Sequence, residues 1–158
     1  MSGTIVVLNG PSSVGKTTLA RAVRDTLGPT AVALAVDDFF AFVHPDAAPS
    51  WSLFDTLTTA LFASASTFAR RGFDVIVDTV FEKRESLATA ISHGARLVAL
   101  TCPLDVLEQR ERERGDREIG QARAQYQRVF QHATYELTLD TAKQSVDECV
   151  ERVIAMLR

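Results

Sequence analysis

Lysine is scarce in this chain: Lys16, Lys83 and Lys143 are the only three, against 14 arginines. Cysteine is scarcer still. Cys102 and Cys149 make no disulfide framework for a chain this long, and neither stands at metal-ligand spacing, so both read as buried small hydrophobes. No apolar run approaches the ~20 residues that span a bilayer. The start lacks a basic leader followed by an apolar run and a cleavage site. A cytoplasmic, reduced and soluble protein is the expectation, with no membrane partner. Positive charge is not in excess either. The net charge of −3 gives the chain no electrostatic footprint for nucleic acid. Repeats, low-complexity tracts and linkers are also missing. What is present is an ordinary globular composition, 46% hydrophobic and 23% charged over 158 residues, which fits one domain spanning 1–158 with a real core. Nothing in it fixes an oligomeric state, and a homo-oligomer remains open.

Five short β-branched or apolar runs alternate with helical stretches: Thr4 to Leu8, Ala31 to Val36, Asp74 to Asp78, Arg96 to Thr101 and Tyr135 to Leu139. The first four are almost continuously apolar, as in parallel strands covered on both faces. The fifth alternates and suits a sheet edge. Helical periodicity covers Lys16 to Leu27, Leu53 to Arg70 and Arg84 to Ile91, a stretch from Pro103, then Gly120 to Gln131 and Lys143 to Leu157. Asp46 to Ser50, "DAAPS", reads as an exposed loop. This order predicts an α/β fold with a doubly wound, five-stranded parallel sheet flanked by helices.

One of the three lysines falls inside "GPSSVGKT", Gly10 to Thr17, a match to G-x-x-x-x-G-K-[ST] placed directly after a strand and opening a helix. Small residues let the backbone of Gly10, Pro11, Ser12, Ser13, Val14 and Gly15 curl with its N–H groups inward, a nest for an anion. The helix running through Thr18 sets its positive dipole end beneath the same phosphates. Lys16 reaches the β and γ oxygens, and the Thr17 hydroxyl suits Mg²⁺. The stretch is therefore a nucleotide cradle, with ATP and Mg²⁺ as the cofactors it implies, and a plain strand-to-helix turn is the alternative.

Ligands of open α/β sheets sit beyond the carboxyl ends of the strands. "VDDFF" and "VDTVF" place Asp37, Asp38 and Asp78 on that rim. A phosphotransferase needs one carboxylate to orient a hydroxyl and accept its proton, and another near the metal. Asp37 or Asp38 serves the first role while the other caps the turn, and Asp78 serves the second. From Glu108 to Glu118, nine of eleven residues are charged, with a sum of only −1. On a helix from Pro103, Arg110 and Arg114 share a face with Leu104 and Leu107, whereas Glu108 and Arg112 form an outward i,i+4 pair. Arg117 lies beyond Gly115. A solvated charged helix is the plain reading of such a run, but beside a phosphate loop these arginines suit a lid over about 110–120 that neutralises a transferring phosphoryl group. His93 and His132 read as packing or surface residues.

Together, "VLNGPSSVGKT", "VDDFF", "VIVDTVF", "RERERGDR" and "YELTLDT" resemble, in that order and over nearly the whole chain, the chloramphenicol phosphotransferase family. The resemblance implies a P-loop NTPase fold, adenylate-kinase-like with an arginine lid. It also implies ATP- and Mg²⁺-dependent transfer of the γ-phosphoryl group to a hydroxyl of a small molecule, chloramphenicol in the family's case, with antibiotic resistance as the consequence. It places the catalytic aspartate at Asp37 and the lid arginines at Arg110, Arg114 and Arg117. The adenine-bordering loop falls on Asp140, Thr141 and Ala142. The chain departs from the family between Asp37 and the third strand, where the acceptor-covering segment, about 38–55, is shorter and carries Phe39, Phe40, Phe42, His44, Trp51 and Phe54. Such rings can wall an apolar acceptor pocket or belong to the core. The rival functions are a kinase of another hydroxylated metabolite, nucleoside or antibiotic, an ATP-binding regulator without transfer, and a nucleic-acid end kinase.

Overall fold

Three consecutive apolar strands cannot be satisfied on one face, so the chain buries them from both. The computed structural model describes residues 1–158. It sets β1 (Ile5–Asn9), β2 (Ala31–Ala35), β3 (Asp74–Thr79), β4 (Arg96–Thr101) and β5 (Leu137–Asp140) in one sheet of order β2-β3-β1-β4-β5. All pairings are parallel, with Leu8 opposite both Asp78 and Val98. Successive residues of β1 point to opposite faces. Val6 and Leu8 meet Leu19 and Val23 of α1 (Lys16–Leu27) and Val150 and Val153 of α7 (Val146–Leu157). Ile5 and Val7 meet Leu61 and Phe62 of α3 (Trp51–Arg70) and Leu87 of α4 (Arg84–Ser92). The expected fold is the observed one, and β5 is an edge, as its alternation indicated. No helix is long and apolar enough to cross a membrane.

The boundaries differ where side chains redirect the backbone. β2 stops at Ala35, and Val36 opens a short helix, α2 (Val36–Phe40). Asp37 and Asp38 therefore sit in a helical first turn instead of ending a strand, where carboxylates meet the positive end of the helix dipole. α3 starts two residues before Leu53 because Ser50 caps it, accepting from the Leu53 N–H at 3.1 Å. α5 (Leu104–Arg114) has Pro103 as its N-cap. The stretch 120–131 does not form one helix: α6 (Gln121–Gln125) is followed by a 3-10 turn at Arg128–Phe130. There the Val129 carbonyl accepts from Asn9 Nδ2 at 2.7 Å and from the Tyr135 hydroxyl, so it is spent on tertiary bonds. Tyr135 precedes β5 for the same reason. α7 begins at Val146 because Ser145 and Glu148 form a capping box, and the preceding turn is tied to Asp140.

The aromatic-rich segment packs as its own patch. Phe39, Phe40 and Phe54 lean on the α3-side core, Trp51 meets Phe54 edge-on, and Lys83 lies over the Trp51 ring at 4.3 Å. Phe42 is 79% exposed and Trp51 50%. His93 stacks on Phe62 and bonds Ser66, His132 is exposed, and both cysteines are buried.

Leu107 joins α5 to the α1-side core and is fully buried. Leu107→Ala should cost about 2–5 kcal/mol, read as an earlier urea midpoint with an unchanged slope.

Candidate active site

Between β1 and α1 the chain has to reverse direction in six residues, and backbone geometry dictates which residues do it. Gly10 lies so close to β4 that a Cβ there would meet the Leu100 carbonyl oxygen at 2.6 Å. Ser13 (φ 66°) and Gly15 (φ 104°) both adopt left-handed conformations, which turn neighbouring N–H groups to one side. Val14 is fully buried in the α1-side core and anchors the loop. Side chains then brace it. The Ser12 N–H donates to Gln125 Oε1 at 2.8 Å, and the Thr141 hydroxyl donates to the Val14 carbonyl at 2.8 Å. Lys16 Nζ donates to the carbonyls of Gly10 and Pro11 at 2.9 and 3.0 Å.

The loop faces a cleft of about 960 Å³. Ser12, Ser13, Val14, Gly15, Lys16, Thr17 and Thr18 line one wall, and Asp37, Asp38, Asp78, Arg110, Arg114, Arg117, Gln125 and Thr141 are among the residues that line the others. Gly10 and Pro11 do not reach it; Gly10 shapes the loop from behind. Of the loop after β5, Thr141 reaches the cleft, whereas Asp140 and Ala142 do not. Phe39, Phe40, Phe42, Trp51 and Phe54 are also absent from its lining, so the rings expected near an acceptor do not wall this space. They are occupied with one another and with the core.

The charges form one cluster. Thr17 Oγ1 donates to Asp78 Oδ2 at 2.5 Å, and Arg117 donates to Asp37 Oδ2 at 2.6 Å. Burial holds the Lys16 ammonium below its ordinary pKa, and the carboxylates of Asp78 and Asp37 oppose that shift. Burial likewise pushes Asp78 up, against the pull of Lys16 and the Thr17 hydroxyl. A carboxyl whose folded pKa is raised stabilises the fold fully below its unfolded value of 3.8, and that contribution is lost as pH rises through the folded pKa. The bond to Asp37 raises Arg117 further.

The arginine segment is held by residues the sequence did not flag. Glu111 is 1% exposed and accepts from the N–H groups of Gly120 and Ala122, both at 2.8 Å, closing 111–122 into a loop. Arg110 donates to the Thr141 hydroxyl and carbonyl at 3.1 and 3.0 Å, and Arg114 pairs with Asp116. Glu108 pairs with Arg123 across the loop and not with Arg112, because α6 folds back against α5. Gln125 donates to Glu82, which also takes Arg128. Asn9 bridges β1 to the Phe81 N–H and to Tyr135. Asn9 is the one polar residue of β1 and could have been noticed; the partners of Glu111 and Gln125 leave no local signal.

A phosphate loop on a central parallel strand, with acidic and arginine side chains converging beyond the strand ends, defines a P-loop small-molecule kinase. The chain belongs to the chloramphenicol phosphotransferase-like protein family, whose model matches residues 3–158. A Mycobacterium tuberculosis relative, named only provisionally as an O-phosphotransferase, is 27% identical over 176 residues, covering 92% of this chain and 78% of its own. The fold is shared with the APS kinase CysC of M. tuberculosis, solved with AMPPNP and APS (TM-score 0.80, 23% identity, 99% and 98% of the two chains). A gluconokinase of Sinorhizobium meliloti is similar as well (TM-score 0.70, 16% identity, 98% and 91%).

Gln125→Ala should leave the buried Ser12 N–H without a partner, costing about 1–3 kcal/mol. The expected readout is a lower melting temperature together with weaker nucleotide binding by calorimetry.

Proposed function

We propose that the chain transfers the γ-phosphoryl group of ATP to a hydroxyl of a small molecule, with Asp37 as the group that orients that hydroxyl and takes its proton. The observation that carries this reading is the position of Asp37. It lies on the cleft rim opposite the phosphate loop, within one electrostatic cluster with Lys16, Asp78 and Arg117. The loop from Ser12 to Thr18 and the Lys16 ammonium hold the phosphates. The segment 110–120 serves as the lid: Arg110 with Thr141 borders the nucleotide, and Arg114 and Arg117 meet charge on the transferring group. The acceptor oxygen attacks the γ-phosphorus in line, the bond to the β-phosphate bridging oxygen breaks, the hydroxyl proton passes to Asp37, and ADP leaves. Most of the rate then comes from positioning and fixed charge, since the transition state is loose.

The donor set suits Mg²⁺. Thr17 Oγ1 and Asp78 Oδ2 are adjacent hard oxygens, the kind of ligand taken by an ion that keeps waters and substrate phosphates around it. When bound, Mg²⁺ neutralises charge on the β- and γ-phosphate oxygens.

Family membership supports chloramphenicol, or a related antibiotic, as the acceptor, with antibiotic resistance as the role. The absence of the aromatic segment from the cleft lining favours a second reading, in which another hydroxylated metabolite is the acceptor.

Lys16→Ala should abolish acceptor-dependent ADP formation while the circular dichroism spectrum stays unchanged; retained turnover sinks the assignment. Asp37→Asn should keep nucleotide affinity and lose about 10²–10⁴-fold in kcat. The acid limb of the pH profile of kcat/KM, which reports the free enzyme, should fall above 3.8, the ordinary aspartate value, because burial raises the Asp78 carboxyl and it must be ionised to take the metal.

A further inference from the structure

The cleft extends past Asp37 along the outer flank of α1, and that extension has a chemistry of its own. Thr17 is fixed towards Asp78. Residues four and seven positions on share its face of the helix, so Arg21 and Arg24 continue the stripe that Thr17 begins, and both line the cleft. Side chains of one helical stripe stack one above the other along the same face, so the two arginines flank the cleft wall one turn apart. Arg24 lies about 10 Å along the axis from Thr17.

The floor of this extension comes from the edge strand β2. Its Val32 and Leu34 pack towards the α3-side core, whereas Ala33 packs towards the α1 side. Alternation then puts Ala31, Ala33 and Ala35 on the α1 face. Methyl groups at every such position, with no strand beyond them, leave a shallow groove beside α1 that runs up to Asp37. Ala33 and Ala35 both line the cleft.

The groups facing this groove differ in what occupies them. Arg24 already meets Asp25 at 2.6 Å. Asp38 lines the groove mouth on α2. Arg21 is exposed and takes part in no hydrogen bond or ion pair. A cation without a partner, on the wall of a groove with a small-residue floor ending at the proposed base, suits an anionic group.

We propose that this groove is the acceptor's second subsite, and that the acceptor is a hydroxylated small molecule carrying a carboxylate or phosphate that Arg21, assisted by Arg24, receives while its hydroxyl lies at Asp37. The inference rests on the kinase reading above and narrows its acceptor class. It separates the acceptor from neutral aromatic alcohols, for which the cleft offers no aromatic wall.

The test has two arms. In the first, gluconate, glycerol 3-phosphate and ribose 5-phosphate, with glycerol, ribose and chloramphenicol as neutral counterparts, are titrated into the AMPPNP-loaded protein by calorimetry. In the second, the same compounds are assayed with ATP for ADP release. At least one anionic compound should bind and be turned over better than its neutral counterpart. The double variant Arg21→Glu, Arg24→Glu should weaken its binding and raise its KM by about tenfold or more. The charge-matched double variant Arg70→Glu, Arg71→Glu, at the C-terminal end of α3, should not. The carboxylate and phosphate probes tell the two anions apart. Binding by an anionic probe, sensitive to the double variant but without ADP release, keeps the subsite and sinks the kinase reading. Turnover of neutral alcohols only, or affinity for anionic probes unmoved by the double variant, overturns the subsite and leaves the kinase reading standing. Neither binding nor turnover of any probe overturns both.

Discussion

An ammonium and a carboxylate confined together at the end of a buried sheet govern the rest of this molecule. Lys16 and Asp78 are each pushed by burial towards neutrality, and the charge of each opposes that shift in the other. Their confinement follows from the sheet. Leu8 and Asp78 are register partners, so the loop leaving β1 and the carboxylate one residue from the end of β3 are neighbours, and α1 begins with the lysine beside them. Thr17 and the carbonyls of Gly10 and Pro11 supply the remaining polar partners. A charged pair in such a place is weak evidence of stabilisation. It is better explained by what it can hold.

The second constraint is that a loop with two left-handed residues does not keep its shape unaided. Val14 anchors it in the core, Thr141 and Gln125 bond its backbone, and Gln125 is itself held through Glu82 and Arg128. The arginine segment grows from the same polar framework through Glu111 and Arg110. The phosphate loop and the arginine segment are in this sense one unit, joined by amide, carboxylate and hydroxyl groups that never enter the chemistry.

Much of this was readable from local pattern. The four apolar runs, the helix from Lys16 to Leu27 and the loop motif depend on neighbours in sequence, and the structure has them. Where a carbonyl or an N–H is claimed by a residue far along the chain, local reading failed. The stretch after Gly120 carries helical periodicity, yet α6 stops at Gln125, and in the 3-10 turn beyond it Asn9 and Tyr135 take the Val129 carbonyl. Asp37 sits on α2 instead of β2 because β2 stops pairing at Ala35. The aromatic segment was ambiguous on its face, since a ring suits a core or a pocket equally, and only packing shows that its rings turn away from the cleft. Glu108 found Arg123 in place of Arg112 because α6 folds back against α5.

The bond between Arg117 and Asp37 joins residues 80 positions apart, and Thr141 reaches Val14 across 127. Synthesis runs from the other end. A growing polypeptide that has emerged through β3 already owns Thr17 and Asp78, but its cleft has a single wall. The far wall arrives with the last third of the translation product, so a truncated or half-made copy presents a phosphate cradle with nothing to close over it.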